Sequence, residues 1–119
     1  RASGLIPGAV SHIAQRVAEI DRSPHDVALL ATPLNKGGWA MRPNRDEAVA
    51  ALRDVRKPLF AIKSLACGRY EAEHLVEEWL QWVVEIPPVQ GIVLGLMVEQ
   101  EAEQSLPFLR EQFGRKFGG

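Results

Sequence analysis

The sequence has little cysteine, no long apolar run and no marked excess of either charge. Its 119 residues contain one cysteine, Cys67, so a disulfide within the chain is excluded and a reducing, cytoplasmic location is expected. No apolar run approaches the roughly 18 to 20 residues that span a bilayer, so no membrane partner is expected. Lys and Arg number 14 against 15 Asp and Glu. Without a basic excess, nucleic acid is not an expected partner.

The metal-binding residue types are present but are not arranged as ligands. No pair among His12, His25, His74 and Cys67 has the spacing of a zinc site, so no metal is predicted. Hydrophobic residues at 46% and charged residues at 24% are ordinary for a globular chain. The length fits a single domain that covers residues 1–119.

Three short and nearly continuous apolar runs predict buried β-strands. They are "DVALLATPL" (26–34), "PLFAIKSL" (58–65) and "VQGIVLGL" (89–96), each bounded by Pro, Gly, Asn or Asp. Continuous apolarity is typical of parallel strands that are covered on both faces. Val27, Leu59 and Ile92 lie 32 and 33 residues apart in these runs, which indicates a repeated unit of one strand and one helix.

Helical patterns lie between the predicted strands. The first joins Val10, Ile13, Val17 and Ile20, and the second begins at Asn44 with Glu47 three residues later, close to a capping box. A third has its apolar face at Leu75, Val76, Trp79, Leu80 and Val83. The last contains Pro107, which is expected to break or kink it.

The order of these elements predicts an α/β fold with parallel strands. If "RASGL" at residues 1–5 is the tail of another strand, the chain has four consecutive βα units, half of a (β/α)8 barrel. The alternative is a small open doubly wound sheet, with helices on both faces. The helical patterns are too similar to decide between the two.

Four stretches carry a resemblance to a known family. They are "RASGLIPGAV", "DVALLATPLNKGG", "KPLFAIKSLACGRY" and "LVEEWLQWVVEIPPVQGIVLGLMVEQEAEQSL". In this order, from about Arg1 to Leu106, they resemble the last third of aldo/keto reductase-like proteins. The resemblance implies the C-terminal half of a (β/α)8 barrel that reduces small-molecule carbonyl substrates with NAD or NADP.

The resemblance also implies a missing part. The catalytic Asp, Tyr, Lys and His of that family lie in its first four units, which have no counterpart here. The chain is therefore expected to be an oxidoreductase fragment that supplies the cofactor-binding half. A half-barrel leaves two sheet edges and an apolar interior uncovered. The expected partner is the missing N-terminal half or a second copy of the chain, as a homo-oligomer.

Ligands of parallel sheets bind at the carboxyl ends of the strands, and this rule selects the candidate site residues. The resemblance adds two residues of the last helix, Glu101 and Ser105. The predicted cofactor-binding set is Ser3, Asn35, Lys63, Ser64, Gly68, Arg69, Gly95, Glu101 and Ser105. Gly68 and Arg69, at a strand-to-helix turn, could contact a phosphate. "LMVEQE" after Gly95 has no Lys or Arg to meet a 2′-phosphate.

Lys63 has the most specific chemistry of the set. A lysine at the end of an apolar strand can hold an anionic ligand or form a Schiff base, or it can extend to the rim or pair with a structural acid. Two alternative functions follow: a non-catalytic half-barrel for assembly or binding, and a barrel lyase or aldolase that uses Lys63. Cys67 is expected to be a small buried side chain.

Overall fold

The computed structural model describes residues 3–70 and 72–118, and in them strands and helices alternate as predicted. The strands are β1 (Gly8–Val10), β2 (Leu29–Pro33), β3 (Leu59–Ile62) and β4 (Val89–Ile92). The helices are α1 (Ala14–Arg22), α2 (Arg45–Leu52), α3 (Val76–Val84) and α4 (Glu99–Gly118). Two single 3₁₀ turns, Ala66–Gly68 and Glu73–Leu75, connect β3 to α3. Within this part of the chain, no helix is long and apolar enough to cross a membrane.

The four strands form one parallel sheet in the order β1-β2-β3-β4. Ala9 pairs with Leu30, Leu30 with Leu59, and Leu59 with Val89. Val27 precedes β2 and Ile92 pairs with Ala61, so the 32- and 33-residue spacing does not mark equivalent positions. β1 and β4 are the two edge strands, and the sheet is not closed.

The helices pack on one face of the sheet. The main core cluster joins Val17 of α1, Leu52 of α2 and Val83 of α3 to Leu30 and Leu59 of the sheet. A second cluster joins α3 to Leu109 of α4. Ile92 of β4 packs against both clusters, so the two lie on the same face of the sheet. On that face α1 contacts α2, and α3 contacts α4. This one-sided layer differs from the doubly wound alternative, which requires helices on both faces.

The first strand lies later in the chain than predicted. Ser3 and Gly4 lie in a turn before β1, Leu5 has no regular structure, and Arg1 and Ala2 of "RASGL" lie outside the described residues. Val10, expected in a helix, is the last residue of β1 because its backbone pairs with Ala31 of β2. The helix therefore begins only at Ala14. Tertiary pairing has outweighed the local helical period.

The other helix signals had different outcomes. Asn44 caps α2 as predicted, because its side chain accepts a hydrogen bond from the Glu47 N–H at 2.9 Å. Of the break or kink predicted at Pro107, the break is wrong, since α4 runs from Glu99 to Gly118. Pro107 and Glu103 are both exposed, so the Glu103 carbonyl that loses its helical donor can be hydrated.

One lysine fixes the end of α4 to the turn between α3 and β4. The Lys116 Nζ donates to three backbone carbonyl oxygens, those of Val84, Ile86 and Val89, at 2.7, 2.8 and 2.6 Å. Burial lowers the pKa of Lys116 below its ordinary value. This contact holds α4 beside the start of β4, at the end of the sheet opposite the carboxyl ends of the strands.

Candidate functional site

A pocket of about 540 Å³ opens at the carboxyl ends of β3 and β4. Its walls are the connection from β3 to α3, the loop after β4 and the first turns of α4. Five of the nine predicted site residues line it: Lys63, Gly68, Gly95, Glu101 and Ser105. The volume is within the range of small-molecule sites, roughly 300 to 1,000 Å³.

The connection after β3 has an unusual backbone. Lys63, Ala66 and Cys67 have φ values of 55°, 51° and 54°, in the left-handed region that non-glycine residues rarely adopt. Gly68 follows at 87°, where the absence of a side chain removes the strain. The Lys63 and Leu65 carbonyls accept hydrogen bonds from the Ala66 and Gly68 N–H groups at 2.8 and 3.0 Å. These bonds hold the tight turn against the rim of the pocket.

Two cations near the pocket rest on the ring of Trp39. The Arg69 guanidinium carbon lies 4.3 Å from the ring centroid and the Lys63 Nζ 5.7 Å. Arg69 also donates to the Ala66 carbonyl at 3.2 Å and does not line the pocket. Lys63 lines the pocket, and no carboxylate of the described residues forms an ion pair with it. Its charge is therefore available to an anionic group in the pocket.

The start of α4 contributes two predicted polar side chains. Glu101 accepts a hydrogen bond from the Met97 N–H at 2.7 Å, which orients its carboxylate at the helix start. Ser105 is only 3% exposed and lines the pocket. Its hydroxyl therefore lies at the wall of the pocket, where it can donate a hydrogen bond to a ligand or accept one.

The other four predicted residues lie elsewhere. Ser3 precedes β1 instead of following a strand, so the strand-end rule does not apply to it. Ser64 is 1% exposed, its Oγ has no partner among the described residues, and it lies outside the pocket lining. Arg69 lies on Trp39. Asn35 follows β2 as predicted, but its side chain is used within its own loop.

The fully buried Asn35 side chain holds the loop that carries Trp39. Its Nδ2 donates to the Trp39 carbonyl, and its Oδ1 accepts from the Trp39 N–H, both at 2.8 Å. The two bonds close a short ring around residues 35–39. Asn35 therefore positions the aromatic ring on which Lys63 rests, although it does not line the pocket itself.

Several lining residues were not predicted from the sequence. Tyr70 and Glu73 line the pocket from the connection between β3 and α3, beyond the last residue of β3. The prediction that Cys67 is buried is wrong: it is exposed and lines the pocket, because its left-handed turn projects it from the surface. A glycine directly after Cys67 was the one available signal of such a turn.

Comparison of the chain with known proteins identified no relative. No protein-family model, curated protein or solved structure matches the chain significantly, so the site is interpreted from its own geometry.

Proposed function

We propose that this chain is the cofactor-binding half of an aldo/keto reductase-like (β/α)8 barrel, with NAD or NADP in the pocket at the strand ends. The acid and base groups that reduce a small-molecule carbonyl would come from outside the chain. The observation that carries the proposal is the pocket itself. It unites a lysine that forms no ion pair with a described carboxylate, a buried serine and a glutamate at the carboxyl edge of a parallel sheet.

The lysine matches the anionic part of a dinucleotide. Lys63 is half-buried, forms no ion pair with a described carboxylate and faces the pocket. A compact ammonium that is partly removed from water forms strong charge-assisted hydrogen bonds to phosphate oxygens. The exposed Gly68 at the same rim leaves room for a phosphate, because a Cβ added there would meet nothing within 4 Å.

The α4 side chains match the sugar part. The Glu101 carboxylate can accept hydrogen bonds from ribose hydroxyls, and the Ser105 hydroxyl can donate or accept. A 2′-phosphate beside Glu101 would be repelled, and the segment from Leu96 to Glu101 has no Lys or Arg to offset that repulsion. The proposal therefore expects NAD to bind more tightly than NADP.

When bound, a nicotinamide cofactor supplies or accepts a hydride, and this chain's residues would hold it in place. Lys63 would fix the phosphates, and Ser105 with Glu101 would fix the sugar. Leu65, Val76 and Leu94 would exclude water from the apolar wall of the pocket.

Calorimetric titration with NAD and NADP tests the proposal. Lys63→Met keeps the length of the side chain and removes its charge. Loss of one charge-assisted contact, about 1.5 to 3 kcal/mol, predicts affinity for NAD that is roughly 10 to 100 times weaker. Lys36→Met is the matched control, because Lys36 pairs with Glu78 at 2.7 Å and lies outside the pocket.

Three results would contradict the proposal. The first is the absence of binding heat with either cofactor at millimolar concentration. The second is equal weakening of NAD binding by Lys63→Met and Lys36→Met, and the third is tighter binding of NAD after Lys63→Met. A separate assay addresses the lyase or aldolase alternative. Borohydride reduction of the protein with a carbonyl compound would label Lys63 covalently only if its amine forms a Schiff base.

A non-catalytic assembly module is the second candidate, and one observation favours it. The face of the sheet opposite the helices is apolar and carries exposed valines, Val10 and Val93. This candidate predicts self-association with or without a cofactor.

A further inference from the structure

The sheet has a second face that the helices do not cover. Leu59 and Ala61 belong to the core under the helices, so Phe60 and Ile62 point to the opposite face. The register places Val10, Ala31, Phe60 and Gly91 side by side across all four strands of that face. We define the open face by six residues: Val10, Leu29, Ala31, Phe60, Ile62 and Val93.

The composition of the open face is that of a buried surface. None of its six residues has a polar side chain, although Val10 is 63% exposed and Val93 57% exposed. Parallel sheets are covered on both faces, and exposed apolar patches of this kind mark interaction surfaces. A solvated sheet face would alternate with polar residues instead.

The edges of the sheet restrict what can cover it. β1 and β4 are edge strands of three and four residues with parallel neighbours, and each presents one unpaired row of backbone groups. The helical layer ends at α1 on one side and at α4 on the other, since α1 contacts α2 and α4 contacts α3. A cover must therefore supply an apolar sheet face, two parallel strand edges and two helices in the same order.

We infer that a second copy of this chain covers the open face. A two-fold axis along the axis of the resulting barrel, to which the strands are inclined, places β4 of each copy beside β1 of the other, in parallel, and gives eight strands without a free edge. The inference rests on the half-barrel part of the proposed function and is independent of any cofactor. Both pockets would open on the same rim, and the acid and base groups of the proposed reductase would have to come from a further partner at that rim.

The helices that meet in this arrangement have complementary charges where they begin. α1 of one copy would lie beside α4 of the other, and both helices start at the carboxyl rim of the sheet. The first two turns of α4 carry Glu99, Glu101 and Glu103, whereas the first turn of α1 has no acidic residue and contains Arg16, which forms an exposed ion pair with Glu19 of its own helix at 2.9 Å. Contact between these ends is attractive, and the net charge of −1 per copy adds little repulsion.

The mass of the protein in solution, measured by light scattering after size exclusion, tests the inference. Two copies of the 13.2 kDa chain are expected. Val93→Asp places a charge on the open face and is expected to raise the dimer dissociation constant at least tenfold. Ala50→Asp is the matched control, because Ala50 is exposed on α2, outside the open face and outside the contact between α1 and α4. Val93→Thr, which changes shape little, repeats the test if Val93→Asp does not fold.

A 13.2 kDa monomer, a trimer or larger assembly, or a dimer equally weakened by Ala50→Asp would overturn the inference. So would a one-to-one complex with a different polypeptide in place of self-association. Titration with NAD separates the two proposals. A monomer that binds NAD overturns the second copy and leaves the cofactor proposal standing. A dimer without affinity for NAD overturns the cofactor proposal and leaves the second copy standing.

Discussion

Replacement of Asn35 by alanine separates a positioning side chain from a ligand-binding one. The sequence predicts Asn35 as a cofactor contact, whereas in the structure its amide forms two 2.8 Å hydrogen bonds with the backbone of Trp39. Asn35→Ala removes both bonds and leaves the partly buried N–H and C=O of Trp39 without these partners. The loop that carries the ring would then lose its fixed conformation.

The size of the effect follows from the two bonds. Each contributes about 1 kcal/mol net, and partly buried backbone groups that lose their partners add a desolvation cost, so we expect a loss of about 2 to 4 kcal/mol. A 119-residue domain has a total stability of the order of 5 to 15 kcal/mol, so this loss is large. Since Trp39 supports Lys63, affinity for NAD should fall, but by less than in Lys63→Met.

Urea denaturation measures the change as a lower midpoint at an unchanged slope. Asn44→Ala is the control, because it removes one exposed capping bond, which typically costs about 1 kcal/mol. If Asn35→Ala costs no more than Asn44→Ala and yet abolishes binding of NAD, Asn35 contacts the ligand directly and its role in positioning Trp39 is refuted.

Two further pairs of substitutions, measured in the same denaturation assay, test the packing around the site. Lys116→Met should lower the free energy of unfolding by about 2 to 4 kcal/mol, because three carbonyl oxygens lose a charged donor. Arg115→Met removes one exposed ion pair and should lower it by less than about 0.5 kcal/mol. Equal losses would contradict the role of Lys116 in anchoring α4. The pKa of Lys116 is lowered by burial, so just below the ordinary lysine pKa the unfolded chain binds more protons than the folded chain. In that pH range the stability of the wild type relative to Lys116→Met should rise with pH. A fall in this difference with rising pH would contradict the lowered pKa. Gly37→Ala should destabilise the protein by about 1 to 3 kcal/mol, since the new Cβ would lie 2.7 Å from the Trp79 ring. Gly114→Ala, in open space on α4, should stabilise it by about 0.5 to 1 kcal/mol. If Gly37→Ala were the more stable of the two variants, the Trp79 ring would have to move freely.

The sequence predicted the alternation of strands and helices because each apolar run is long enough to identify a strand without knowledge of its tertiary contacts. β2, β3 and β4 lie inside the predicted runs, and β3 and β4 begin directly after Pro58 and Pro88. β1 could not be placed in this way. It has three residues and depends on its pairing with β2, which is a contact between distant parts of the chain.

The sequence could predict the location of the site, at the carboxyl rim of the sheet, but not which side chains line it. The strand-end rule and the resemblance selected Lys63, Gly68, Gly95, Glu101 and Ser105, which line one pocket. They could not separate Lys63, which lines the pocket, from its neighbour Ser64, which is buried outside it. That difference arises from the left-handed backbone of Lys63, a conformation that residue type does not predict.

The loops after β2 and β3 act together on the pocket. Asn35 holds the Trp39 backbone, the Trp39 ring carries Lys63 and Arg69, and Lys63 reaches the pocket from this support. Without an anion, the ring keeps the ammonium in a defined position at the rim. A bound phosphate would compete with the ring for the same charge, and a cation–π contact of about 0.5 to 1 kcal/mol is weaker than a charge-assisted hydrogen bond. The cation is therefore positioned in advance by the preceding βα unit and yet remains available to a ligand. A pocket that draws on two consecutive units in this way needs the sheet order β1-β2-β3-β4 observed in this fold, since only adjacent parallel strands bring successive loops into contact.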